Sequence, residues 1–516
     1  MDLQVIMRKL VLFISAFVLF TTTKNYGQSL YKREWGTLLP ISAKTIKPFL
    51  PNKTIVRAVS FVTEVHPVTG NLYLVNAEGN EIYEYRQDEI KPKLIYKISD
   101  SEEGLSTIES LKFDFENNLI ISGRTVAQNL ATPGVYSENL IFGFKLAPSF
   151  LAKINLQGSV IWFTYFHDIL SNNSPLAVDS ENNIYVLNKR NKNTVASPTF
   201  FQKNGDLSSN VDYQDVISKL DKEGKHIWST FYAKDNSNIK SIVAGDKGLF
   251  IYGDHMGATM SSNYFGTPKS HHDKIYRPNA SLDNIFSVFL SKFSFNGERL
   301  WSTYFGEDNT NVTLGSTLLN NNSLTVINDN AYILATHRIF NKKINVTTEN
   351  AYLKEPLIQV GSTSVSKFSS NGERVWTSYV HAGEHIFSND DELFITSSVA
   401  NNNNENNLPT INAFQPKYGG GNSDVYTSIV SLDGTTLNYA SFYGFEGTDS
   451  GVTLPTKDGF YIIGTTDLNK KEKAAFATSR SPEKKYFQKG DIYIGDFLSY
   501  FKQNKKVKHK KKKNDQ

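Results

Sequence analysis

The chain has 516 residues, 39% hydrophobic and 13% aromatic, with 33 Gly, 16 Pro and no Cys. Such a composition can bury a core, and the missing Cys excludes a disulfide scaffold, a thiol nucleophile and Cys-ligated zinc or iron–sulfur sites. The formal charge of +4 misleads, because taking away the +2 of residues 1–28 and the +7 of residues 502–516 leaves −5 for the body.

At the N-terminus, Arg8 and Lys9 precede an apolar run from Leu10 to Phe20, and a polar stretch ends at Gly27-Gln28. The run is too short for a membrane span, which needs about 20 residues. Its order, cationic then apolar, predicts a secretory signal removed near Gln28 and a secreted or periplasmic protein. At the other end the lysines of residues 502–516 have no interleaved aromatics. A solvated tail is expected there, with no nucleic-acid partner.

Between the ends the chain repeats itself. Four segments superpose: Ala152-Lys-Ile-Asn-Leu-Gln-Gly-Ser-Val-Ile-Trp162-Phe-Thr-Tyr165, Ser218-Lys-Leu-Asp-Lys-Glu-Gly-Lys-His-Ile-Trp228-Ser-Thr-Phe231, Ser291-Lys-Phe-Ser-Phe-Asn-Gly-Glu-Arg-Leu-Trp301-Ser-Thr-Tyr304 and Ser366-Lys-Phe-Ser-Ser-Asn-Gly-Glu-Arg-Val-Trp376-Thr-Ser-Tyr379. A fifth, from Ser428 to Phe442, carries Tyr439 at the Trp position, and Trp35 supplies a further copy near the N-terminus. Each copy predicts a β-hairpin whose Gly takes the positive φ of the turn, with Trp and Tyr side chains expected on one face of the sheet. Because all five Trp occupy one repeat position, they are predicted to pack outer strands and not to serve as sugar platforms.

A second apolar strand precedes each hairpin, starting at Asn71, Asn118, Asn183, Gly248, Asn330, Glu392 and Gly459. With an innermost strand upstream, each unit has four antiparallel strands, A to D. Seven such units predict an all-β, seven-bladed β-propeller over residues 29–501. The last unit has its C strand in Gly490 to Leu498 and then runs into the lysine tail. Its missing D strand is predicted at Lys32 to Leu39, so that the N-terminal strand completes the last blade and hides two open edges.

The segment Asn412-Ala-Phe-Gln-Pro-Lys-Tyr418-Gly-Gly-Gly421-Asn-Ser-Asp424, followed by a Leu-Asp-Gly hairpin and Ser441-Phe-Tyr-Gly444, resembles the bacterial SBBP-type β-propeller repeat. The resemblance covers roughly residues 107–465. It implies a propeller and secretion, and it specifies no chemistry.

Long B–C connections, about residues 124–146, 189–213, 254–286, 336–362, 398–422 and 466–489, are predicted to open on one face of the disc, where binding residues usually sit. The longest holds His255, Tyr264, His271, His272, Asp273, Tyr276 and Arg277. A His or Tyr that moves a proton and an Arg that neutralises a carboxylate are the parts a uronate lyase needs, which makes His255, His272, Tyr264, Tyr276 and Arg277 the catalytic candidates. His271 and Asp273 are candidate ligands for a divalent metal. His381-Ala-Gly-Glu-His385 has a spacing that joins two ligands only on a helix, and it follows a strand. Gly419-Gly420-Gly421 precedes a strand and reads as a turn, and no nucleophile elbow occurs. The leading expectation is a secreted monomer without cofactor that binds a glycan or surface macromolecule through the insert-bearing face. The alternative is an extracellular lyase of uronate-containing polysaccharide.

Overall fold

The computed structural model describes residues 29–39, 61–99, 106–140, 148–166, 168–170, 175–198, 200–234, 236–256, 261–276, 286–305, 311–313, 322–338, 346–357, 362–402, 407–469, 488–489 and 492–504. Their regular elements are strands, arranged as seven four-stranded antiparallel blades in a ring. In the order A, B, C, D, blade 1 is Thr63–Val65, Leu72–Val75, Glu81–Tyr85 and Lys93–Lys97. Blade 2 is Thr107–Phe113, Leu119–Arg124, Ser149–Ile154 and Val160–Phe166. Blade 3 is Leu176–Val178, Ile184–Asn191, Tyr213–Leu220 and His226–Phe231. Blade 4 is Asn236–Ala244, Leu249–Met256, Phe286–Phe293 and Arg299–Phe305. Blade 5 is Leu324–Ile327, Asn330–Arg338, Ser362–Phe368 and Arg374–Val380. Blade 6 is His385–Ser388, Glu392–Ala400, Ser423–Ser431 and Leu437–Tyr443. Blade 7 is Ser450–Pro455, Gly459–Asn469, Ile492–Gln503 and, from the N-terminus, Tyr31–Leu38.

The A strands touch in order from blade 1 to blade 7 and line the axis. The N-terminal strand closes the ring as the sequence predicts, although Trp35 stands opposite Tyr500 and strand C reaches Gln503. Trp35 also joins Leu72, Leu74 and Tyr85 of blade 1 in one apolar cluster with Tyr461 and Tyr500.

The repeated Trp latches each blade to the next. Its indole Nε1 donates to a carbonyl in the C–D turn of the following blade: Trp162 to Lys222 at 2.8 Å, Trp228 to Phe295 at 3.2 Å, Trp301 to Ser370 at 2.9 Å, Trp376 to Leu432 at 3.1 Å and Trp35 to Gln87 at 2.8 Å. The indole lies flush on the turn glycine. At Gly372, where φ is +84°, an added Cβ would meet Trp301 at 2.7 Å, so this glycine serves both the turn and the close approach. Tyr439 does the same job by apolar contact, with its ring 5.0 Å from Tyr31 of blade 7.

One expectation is corrected here. Trp and Tyr of each repeat do not share a face: Trp162 packs toward blade 3, whereas Phe163 and Tyr165 pack into the cluster of blades 1 and 2. They are three residues apart, and on a strand of period two an odd spacing puts them on opposite sides.

Opposite each Trp of blades 2 to 5 stands a lysine on strand C: Lys153, Lys219, Lys292 and Lys367. Three of these are buried and face aspartates of A–B turns, Lys153 with Asp114 at 2.7 Å, Lys292 with Asp329 at 2.5 Å and, more loosely, Lys219 with Asp179 at 3.9 Å.

Candidate functional site

The B–C inserts leave the blades at one end, as predicted, but their described parts do not stand up from that face. They fold back along strand D and pair with it. Backbone bonds run from Thr132 to Phe163 and Tyr165 to Ser137 in blade 2, Phe231 to Gln202 in blade 3, Thr267 to Ser302 and Tyr304 to His272 in blade 4, Thr348 to Thr377 in blade 5, and Ile411 to Ala440 in blade 6. An outer strand without this cover would offer a bare edge, and that physical need absorbs much of the insert length.

This wrapping decides where the predicted residues fall. His255 ends strand B of blade 4, buried, with its ring 5.5 Å from Phe265. The Tyr264 hydroxyl donates to Gln202 Oε1, and the Tyr264 ring lies under the Arg299 guanidinium, which also donates to the Tyr264 carbonyl. Burial raises the Tyr264 phenol well above its ordinary range. His272 is held at the rim by Thr303 and Tyr304 backbone and hydroxyl groups. The His271 ring lies tilted 4.2 Å from that of His272 and near Phe305 and Phe368; burial, then the neighbouring His272 and Arg374, lower it to about 3. Asp273 is exposed. Tyr276 lies in a two-residue strand paired with Ser261–Ser262, and Arg277 lies outside the described residues. His255 and Tyr264 both contact Phe265, whereas His271, His272 and Asp273 sit apart on the rim. Among the described residues no three of His, Asp, Glu or Cys are placed to hold a metal ion.

The structure brings other charged groups together, at the end of the blades where strand B stops and strand A begins. Six residues after the start of strand B, blades 2, 3 and 4 carry Arg124, Lys189 and Asp254, whereas blades 5, 6 and 7 carry Thr336, Ser398 and Thr465. In blade 3, Lys189 pairs across the sheet with Asp215, Nζ to Oδ1 2.8 Å, and Asp215 Oδ2 accepts the Ile239 amide of blade 4 at 2.7 Å. Facing them on blade 4, Asp254 stands opposite Asn238 and near Lys240. Asp254 is 7% exposed, and its Oδ1 has no hydrogen-bond partner among the described residues. Burial raises the Asp254 carboxyl, while Lys240 and the Asn238 bond pull it back. In blade 2, Glu109 meets Arg124 at 3.1 Å, and burial outweighs that guanidinium so that the Glu109 carboxyl is also raised. Glu109 and Lys240 each occupy an irregularity in strand A, which turns an extra side chain out of the ladder. The result is a junction between blades 3 and 4 at which two carboxylates, two lysines and an amide meet.

Sequence reading passed over these residues because none belongs to a motif. The signal lay in the repeat itself: a position that is Thr or Ser in three blades and charged in three consecutive others has been released from the demands of the fold.

A second polar assembly joins blades 6 and 7. Asp424 Oδ2 accepts the Gly419 amide at 2.6 Å, and Asp449 Oδ2 accepts the Phe445 amide at 2.7 Å. Both carboxyls are buried and pushed up to about 7, mainly by burial; the charges of Asp424 and Asp467 add to the effect on Asp449. Gly419 to Gly421 pack directly on the backbone of residues 444–447, which confirms the glycine run as a turn.

No family model matches the chain, and no curated protein matches it either. Solved structures superpose on it distantly. The polysaccharide lyase Uly1 superposes with a TM-score of 0.44 at 7% identity, covering 93% of this chain and 99% of its own. A PL25 ulvan lyase superposes at 0.39 and 10% identity, covering 85% and 92%. An inactive variant of virginiamycin B lyase from Staphylococcus aureus, with quinupristin, superposes at 0.39 and 9% identity, covering 86% and 94%. At these identities the likeness concerns fold alone.

Proposed function

We propose that this protein is an exported, monomeric propeller that binds a glycan or surface macromolecule, without catalysis, at the end of the ring where the strands B stop. The charged junction of blades 3 and 4 carries this reading: it holds a buried carboxylate oxygen, Asp254 Oδ1, without a partner among the described residues, and it sits on the blade scaffold, as expected of a preorganised binding site. The signal-like first 28 residues and the SBBP-type repeat resemblance support a place outside the cytoplasm. The lyase reading draws on His255, His272, Tyr264, Tyr276 and Arg277. Of these, the Tyr264 hydroxyl is committed to Gln202 of the blade 3 insert, and the His272 backbone is held to strand D of blade 4.

A panel of neutral and acidic polysaccharides tests the proposal. Retention of the protein on one of them, with no rise in the absorbance of an unsaturated product, is the expected result. Product formation abolished by His255→Ala or Arg277→Ala would establish the lyase in its place. Size-exclusion chromatography with light scattering reads the monomer.

A further inference from the structure

We infer that the junction between blades 3 and 4 is a saccharide subsite, in which Asp254 accepts the hydroxyl hydrogens of a sugar ring and Lys189 and Lys240 donate to its oxygens. This rests on the binding reading above and adds the residues and the chemistry of the ligand.

The fold does not require a carboxylate at this position. Blades 5, 6 and 7 fill the position of Asp254 with Thr or Ser, and in two of them the hydroxyls are satisfied locally, Thr336 by Thr363 at 3.2 Å and Thr465 by Ser450 at 2.9 Å. An aspartate is a poor strand residue, and a buried carboxylate oxygen without a donor is costly. Asp254 nevertheless stands there at 7% exposure with Oδ1 unmatched among the described residues, while one of the two lysines beside it, Lys189, is engaged with Asp215.

The signs of charge then select the ligand. A free cation would meet Lys189 and Lys240, and an anion would meet Asp254 and Asp215. A hydroxyl group suits both, because it donates to a carboxylate and accepts from an ammonium, and adjacent ring hydroxyls present several such groups at fixed spacing. The cross-strand pairs Lys189–Asp215 and Asn238–Asp254 set these partners on adjacent blades, so that a ring bound at their shared end would meet groups from both.

The test uses the full chain, titrated with the oligosaccharides it retains, alongside Asp254→Asn and Lys240→Met. Asp254→Asn is expected to weaken binding roughly tenfold or more. Its melting temperature should hold or rise, because the unmatched charge is gone. Lys240→Met is expected to weaken binding several-fold with an unchanged melt. Binding unaltered in both variants overturns the subsite and leaves the wider proposal standing. Asp254→Asn that lowers the melting temperature and spares binding gives Asp254 a structural role, and also overturns it. A wild-type chain that retains no glycan overturns the subsite together with the glycan half of the wider proposal.

Discussion

Replacing Asp424 by asparagine removes one of two buried carboxyls from the junction of blades 6 and 7 and keeps its shape. In the folded protein this carboxyl titrates near 7, raised by burial and only partly held down by the Gly419 amide. An unfolded aspartate titrates near 4. The native state therefore binds the proton more tightly, and this contribution to stability declines as pH rises from about 4 and is lost once pH passes about 7. Three pH units correspond to about 4 kcal/mol, an upper limit reached when the folded group is fully ionised. Asp424→Asn cannot ionise, so its stability should equal that of the parent near pH 4 and exceed it increasingly toward pH 8. Asp449 pushes the same way, since its own carboxyl is raised in part by the charge of Asp424. Denaturant melts of both proteins at half-unit steps from pH 4.5 to 8 measure the gap. Two curves that run parallel would refute the account, because they would mean that Asp424 is solvated or paired in the folded state.

Other outcomes follow from the latches and the closure. Trp301→Ala should cost about 3–5 kcal/mol in a denaturant melt, since it empties the contact with Gly372 and removes the bond to Ser370. Lys153→Ala leaves the Asp114 carboxylate buried without its cation and should cost about 3–5 kcal/mol at neutral pH, by the same assay. Deleting residues 29–39 strips blade 7 of its outer strand and of Trp35, so the shortened chain should lose its single cooperative transition and elute as aggregate on size exclusion.

How much of this was legible beforehand varies by level. The Trp-bearing hairpins, the number of blades and the strand exchange between the two ends follow from local pattern: turn glycines, period-two apolar runs and a repeat long enough to be unmistakable. The pairing of Trp35 with the last C strand therefore stood in the sequence, whereas the extent of that strand to Gln503 and the register, with Trp35 opposite Tyr500, awaited the structure.

The inserts show the limit. Their length suggested loops over one face, yet Thr267, His272 and their counterparts in other blades pair with strand D. Nothing in the composition of residues 254–286 distinguishes a loop in solvent from one that seals an edge, because the groups that hold it, the strand D backbone and the repeated hydroxyl of Thr303, belong to the partner strand.

The charged junction lies further still from local reading. Lys189 and Asp215 are 26 residues apart in sequence, and Asp254 comes from the next blade. Their meeting depends on the blades' facing one another round a common axis. Pattern along the chain determined the strands and their count. Only the packing of one sheet on the next decided which charges share a space, since that distance is set by side chains from both.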